Sequence, residues 1–379
     1  MPNIGGNEWA YVKDCLDAGW VSSVGAYVER FERALAEQVG ARHAVAMASG
    51  TAALHVGLMV AGVKPEDEVV LPPLTFIAPA NTTRYIGAWP AFVDIDPGHW
   101  QLDPAALEAF LREDCEMVDG RPRNRHTGRR VSAILPVDIL GHPCDMQAIV
   151  AIAERFGLAV VEDATESLGA TCRGRPLGAW SPITCFSFNG NKIVTTGGGG
   201  MLVTDDETMA RRAKYLSTQA KDDPIEFVHC SVGYNYRLTN VQAAMGCAQL
   251  EQLPRFVERK QQIASRYATA LRDVPGITPM REASWARSTH WLSAVLVDEP
   301  AFGMGSRQLM AALEREKIQT RPLWQLLNCS PALRGSFART CPNAQRVQQS
   351  ALCLPSSTGL TGEDQDRVIA AIRGAARGA

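Results

Sequence analysis

Between about residues 43 and 203, short apolar runs alternate with segments of helical periodicity: HAVAM, TAALHVGLMVAG, EVVLP, VSAILPV, MQAIVAIAERFG and LAVVED. Short β-branched runs separated by helices predict a mainly parallel sheet covered on both faces, an α/β domain. In such sheets ligands collect beyond the carboxyl ends of the strands, so the residues just after each run are the first candidates for chemistry. After about residue 240 the pattern changes. VQAAMGCAQLEQLPRFVERKQQIASRYATALRDV predicts two helical stretches, the first ended by Pro254, and WLSAVLV then predicts a strand followed by a helix near Ser306 to Glu316. The chain therefore divides into a large α/β domain with an N-terminal segment, residues 1–245, and a smaller α+β unit, residues 246–379.

The chain has 379 residues and a formal net charge of −2, so no overall field recruits nucleic acid or an anionic membrane. No stretch approaches the ~18 to 20 apolar residues of a spanning helix, and MPNIGGNEWAYVKDC has no basic start followed by an apolar segment. These features predict a cytoplasmic protein with small-molecule partners. Ten cysteines are scattered without a Cys-x-x-Cys pair, which predicts reduced thiols and no metal site. The one basic run, RPRNRHTGRR at 121–130, is either a solvated loop or a clamp for a diphosphate.

Three segments carry candidate chemistry. In CFSFNGNKIVTTGGGGMLV, Lys192 follows an apolar run and precedes four glycines, 197 to 200. Glycine loses more backbone entropy on folding than any other residue, so this cluster implies a chain turning closely around something. A P-loop is excluded because the lysine comes before the glycines. In LAVVEDATESLGA, Asp163 and Glu166 follow a buried-type strand and can serve as metal ligands, acid/base groups or partners of a buried cation. In MASGTAALHVGL, Ser49, Gly50 and Thr51 open a helix directly after a strand, where free N–H groups and the helix dipole favour a phosphate. A phosphate cradle, a carboxylate able to keep a pyridinium nitrogen protonated and a lysine able to form a Schiff base together suit pyridoxal phosphate.

The sequence resembles the DegT-type nucleotide-sugar aminotransferases, which are fold type I pyridoxal-phosphate enzymes, over nearly its whole length. The resemblance is carried by GGNEWAYVKDCLDAGWVSSVG, SGTAAL, PPLTFIAPANT, VVEDATESLG, SFNGNKIVTTGGGGM, VGYNYRLTNVQAAMG and RPLW. It implies that Lys192 holds pyridoxal 5'-phosphate covalently and that Asp163 bonds the pyridine nitrogen. It also implies that Gly50, Thr51 and Ser187 bind the phosphate, with Ala52 in the same turn, and that Phe76 stacks on the ring. Glu166 corresponds to a position near the pyridine ring or its 3-hydroxyl. Asn235, in GYNYR, matches an asparagine that reaches the phosphate of the neighbouring subunit, so a homodimer with shared active sites is implied.

The implied reaction transfers an amino group from L-glutamate, by way of pyridoxamine 5'-phosphate, to a nucleotide-linked keto-sugar. The wording is closest to the branch that aminates C4 of UDP-linked 4-keto-6-deoxy-N-acetylhexosamines. Asn328 departs from that branch, standing near an expected histidine after RPLW. Arg237, Arg321 and the 121–130 run are available to a diphosphate, and His229 to the sugar or a phosphate. Three rivals are a sugar dehydratase on the same scaffold, a pyridoxal-phosphate-bound regulator and a non-catalytic nucleotide-binding protein. In the dehydratases histidine replaces the lysine, so Lys192 argues against the first.

Overall fold

The computed structural model describes residues 2–223 and 225–377. Its main sheet contains β1 (His43–Met47), β2 (Glu68–Leu71), β3 (Trp89–Phe92), β4 (Val131–Ile134), β5 (Ala159–Asp163), β6 (Ile183–Ser187) and β7 (Gly200–Thr204). They lie in the order β1-β7-β6-β5-β4-β2-β3, with the two-residue strand Phe337–Ala338 at the β3 edge. The strands from β6 to that edge run parallel, as the alternating pattern predicts. Strand β7 departs from it and runs antiparallel to both β1 and β6. The cause lies in the connection, because 188–199 contains no helix and a parallel return needs a long crossover.

Helices α1 (Glu8–Asp17), α2 (Ala26–Val39), α3 (Gly50–Val60), α4 (Ala78–Tyr85), α5 (Met146–Phe156), α6 (Glu207–Ser217) and α7 (Asn240–Leu250) flank this sheet. Helix α3 buries residues on every side, Leu54, Val56 and Leu58 among them, as a helix apolar all round must. Asn240 fixes the N-terminal segment onto α7: its Oδ1 accepts from Tyr27 N–H at 3.0 Å and its Nδ2 donates to Trp20 O at 2.7 Å.

The helix expected to end at Pro254 ends at Leu250, and Pro254 instead lies in the first turn of α8 (Leu253–Ala270). A proline is tolerated there because the first N–H groups of a helix have no intrahelical acceptor. Beyond it, β8 (Ile277–Pro279), β9 (Ser293–Val297), β10 (Arg321–Pro322) and β11 (Ala351–Leu354) form a second, antiparallel sheet in the order β8-β9-β11-β10. With α8, α9 (Ser306–Arg315) and α10 (Gly362–Arg377) it encloses a separate apolar core around Tyr267, Leu309, Leu352 and Ile372. The expected boundary at 245/246 falls inside α7, and Phe337–Ala338 crosses back to the main sheet.

Candidate active site

The register of three strands builds the site. Gly200, the first residue of β7, pairs with Met47 on one side and Ser187 on the other, which sets the carboxyl ends of β1 and β6 side by side. A Cβ at Gly200 would stand 2.4 Å from the carbonyl carbon of Ser49, so only glycine fits. Cys185 pairs with Asp163 one strand further on. Four strand ends thus deliver Ser49, Asp163, Ser187 and the Lys192 loop to a single cavity of about 400 Å³.

One end of the cavity is the N-terminus of α3. Ser49 caps it, its Oγ accepting from Ala52 N–H at 3.0 Å. The earlier N–H groups, of Gly50 and Thr51, have no intrahelical acceptor, and both residues line the cavity. A Cβ at Gly50 would lie 2.7 Å from Ser187 Cβ and 3.1 Å from Thr165 Cγ2, so the cradle depends on glycine there. Ser187 borders the same space; Ala52 is buried behind it with its N–H committed to Ser49.

Asp163 is buried, and its Oδ1 accepts from Thr165 N–H at 3.0 Å. Burial raises its pKa above the ordinary carboxylate value, opposed by that hydrogen bonding and by the charge of Lys192. The Lys192 side chain is 12% exposed, and its Nζ lies 3.3 Å from Glu166 Oε1. Burial also raises the Glu166 pKa, against the pull of Lys192 and of Leu140 N–H, which donates to Oε2 at 2.8 Å. Phe76 stands at the cavity wall and is 54% exposed.

Two tryptophans that the sequence did not single out as site residues complete the wall. Lys192 Nζ lies 4.3 Å from the ring centroid of Trp291, whose Nε1–H donates to Asn191 O at 2.8 Å. Trp324, within RPLW, lines the cavity as well. The residues expected to meet the sugar or its diphosphate do not border this cavity. Asn235 and His229 are exposed, Arg237 is half-buried, and none of the three borders the cavity. Asn235 Oδ1 accepts from Arg237 Nε at 3.2 Å, and His229 Nδ1 is 2.9 Å from Gln219 O. Arg321 borders a neighbouring cavity that shares Asn191, Lys192 and Trp291 with this one.

The 121–130 run lies at the amino ends of the strands, ahead of β4 and against Glu68, the first residue of β2. Three of its five arginines have carboxylate partners, Arg130 with Asp67, Arg125 with Glu116 at 3.2 Å and Arg129 with Glu66 at 3.6 Å, and Arg129 also lies over the Trp89 ring at 4.2 Å. No residue of the run borders the cavity that holds Lys192.

Residues 2–373 match the DegT/DnrJ/EryC1/StrS aminotransferase family. The chain belongs to that family. Across 372 residues it is 37% identical to the putative pyridoxal phosphate-dependent aminotransferase EpsN of Bacillus subtilis (strain 168), covering 97% of this chain and 92% of that one. It is also 37% identical over 372 residues to the GDP-perosamine synthase of Caulobacter vibrioides (strain ATCC 19089 / CIP 103742 / CB 15), covering 98% and 96%. Its fold superposes on DesI, solved in the presence of its TDP-sugar product, with a TM-score of 0.87 and 30% identity, over 98% of this chain and 90% of that one. The fold is that of the fold type I aminotransferases, and the chain is an aminotransferase. Among its described residues, no helix is long and apolar enough to cross a membrane.

Proposed function

We propose that this aminotransferase uses pyridoxal 5'-phosphate to move an amino group from L-glutamate to a nucleotide-linked keto-sugar. The observation that carries this reading is the single cavity in which a glycine-dependent helix N-terminus, a buried aspartate and a lysine face the same space. These residues fit the cofactor: Gly50, Thr51 and Ser187 would hold its phosphate, Asp163 its ring nitrogen, and Lys192 its aldehyde carbon. When bound, the group supplies an electron-poor ring that stabilises negative charge on the substrate carbon.

The chain's own residues supply the rest. Asp163, held at Oδ1 by Thr165 N–H, keeps a proton on the ring nitrogen, and its burial strengthens that interaction. Lys192 Nζ carries the proton to and from the substrate carbon, which requires a neutral amine. Glu166 Oε1, 3.3 Å away, is placed to accept the proton the ammonium gives up. Trp291 and Trp324 complete the wall of the cavity around the lysine.

For the acceptor, the opening GGNEWAYVKDCLDAGWVSSVG and SFNGNKIVTTGGGGM support a UDP-linked 4-keto-6-deoxy sugar with a 2-acetamido group, aminated at C4. A second reading, a GDP-linked keto-sugar, is favoured by the 37% identity to a GDP-perosamine synthase over almost the whole of both chains. A panel of UDP-, dTDP- and GDP-linked keto-sugars with L-glutamate separates them, scored for 2-oxoglutarate release and for the position of the new amine. The UDP-acetamido compound is expected to give the highest kcat/KM with the amine at C4. A higher value for the GDP-linked acceptor establishes the second reading, and no 2-oxoglutarate with any acceptor overturns the function.

A further inference from the structure

Behind the Lys192 loop lies a second cavity, of about 620 Å³, bounded by Gly190 to Ile193 and Trp291 on one side and by the smaller unit on the other. Its wall carries Lys260, Lys317, Arg321 and Arg367 against one carboxylate, Asp364. That carboxylate is already engaged, Oδ2 accepting from Thr361 Oγ1 at 2.8 Å. Neither Lys317 nor Arg321 makes an ion pair among the described residues, and the Arg321 guanidinium donates only to the adjoining Thr320 O, at 3.2 Å.

One buried group on this wall lacks what burial normally demands. Lys260 is 7% exposed and donates to Trp291 O at 2.7 Å and Ser356 O at 2.6 Å. An ammonium has three donors, and among the described residues these two carbonyls are its acceptors and no carboxylate pairs with it. Burial alone pushes its pKa down to about 8.

We propose that this cavity binds a small oxyanion with two or more negative charges, a phosphate or a dicarboxylate, with Lys260, Lys317 and Arg321 supplying charge and hydrogen bonds. It is distinct from the cofactor cavity, with which it shares Asn191, Lys192 and Trp291 as a common partition. An anion held there sits against the outer face of the loop that carries Lys192.

The test uses the full chain loaded with pyridoxal phosphate and reduced with borohydride, so that the cofactor cavity is filled. Inorganic phosphate and 2-oxoglutarate are titrated separately by calorimetry, and the arm that responds identifies the class of anion. Saturable binding of one or both is expected. It weakens about tenfold or more in a Lys317→Ala/Arg321→Ala protein, as loss of charge-assisted hydrogen bonds requires. Both cationic side chains are exposed, so the double variant retains the fold. Absence of saturable binding by either anion, or affinity unchanged in the double variant, overturns the proposal. Failure to label Lys192 would instead count against the cofactor assignment, and titration of the unlabelled protein, with the same double variant, still decides this site.

Discussion

Lys192 Nζ lies 3.3 Å from Glu166 Oε1, while Glu166 Oε2 is held by Leu140 N–H at 2.8 Å. Leu140 adopts a φ of 60°, in the left-handed region that a branched residue enters only under constraint. The backbone therefore aims one carboxylate oxygen at the lysine, and the pair is buried enough that neither partner is readily replaced by water.

Lys192→Ala is expected to abolish transamination and the borohydride-trapped label while leaving the fold intact, since the side chain contributes to the cavity and not to the core. Glu166→Gln keeps an acceptor for Leu140 N–H but removes the charge that receives the lysine proton. Labelling should persist and the rate should fall about tenfold or more, a loss typical of general acid/base groups. Full turnover in folded Lys192→Ala protein would refute the lysine's role; a rate within two-fold of the parent in Glu166→Gln would refute the carboxylate's.

Gly50→Ala tests the phosphate cradle. Its Cβ would meet Ser187 Cβ at 2.7 Å, and relief must come from moving either the start of α3 or the end of β6. Overpacking of this kind costs about 1–3 kcal/mol of stability. The expected result is a modestly lower Tm together with a much larger loss of pyridoxal-phosphate affinity, read by cofactor fluorescence. Unchanged cofactor affinity would place the phosphate elsewhere.

A pH dependence follows from Asp138, which lies behind Asp163, its N–H donating to Asp163 O at 3.0 Å. Burial raises the Asp138 pKa from 3.8 to about 7, against hydrogen bonds from Cys144 N–H and the Ser167 hydroxyl. The folded state thus holds this proton more tightly than the unfolded chain does. Its contribution to stability is complete below the ordinary carboxylate pKa and is lost as pH rises through about 7. Asp138→Asn cannot titrate, so its stability relative to the parent should increase between pH 5 and 7.5, by at most about 1.4 kcal/mol per unit. Urea unfolding at the two pH values measures it, and parallel curves would show that Asp138 does not titrate in this window.

The sequence made Lys192 and Asp163 legible because both follow apolar runs at strand ends, where an open α/β sheet exposes side chains to ligands. The glycines at 197 to 200 signalled close backbone approach, and the clash at Gly200 shows what they approach. Trp291 was not legible, because only packing of the smaller unit brings it over Lys192. The antiparallel course of β7 was hidden as well, since a buried strand reads the same in either direction. Acidic partners of the basic run were obscured because Asp67 precedes and Glu68 opens EVVLP, a segment read for its apolar residues.

The last prediction concerns assembly. Asn235 and His229 are exposed and stay outside their own cavity, and the segment around them carries Ile225 and Val232, 81% and 82% exposed. Trp9, Trp20 and Val24 of the N-terminal segment are exposed too. Apolar side chains this open are costly in water, and a second copy would cover them while carrying Asn235 toward the neighbour's phosphate cradle. If sites are shared in this way, Lys192→Ala and Asn235→Ala damage different chains of one site. Mixing and reassociating the two inactive proteins produces hybrid dimers in which one site has both defects and the other has neither. A statistical mixture is half hybrid, so activity should recover to about one quarter of the parent value, while each variant alone stays inactive. No recovery in a mixture shown by mass spectrometry to contain the hybrid would mean that Asn235 serves its own chain, and full activity of a monomer at assay concentration would remove the shared site altogether.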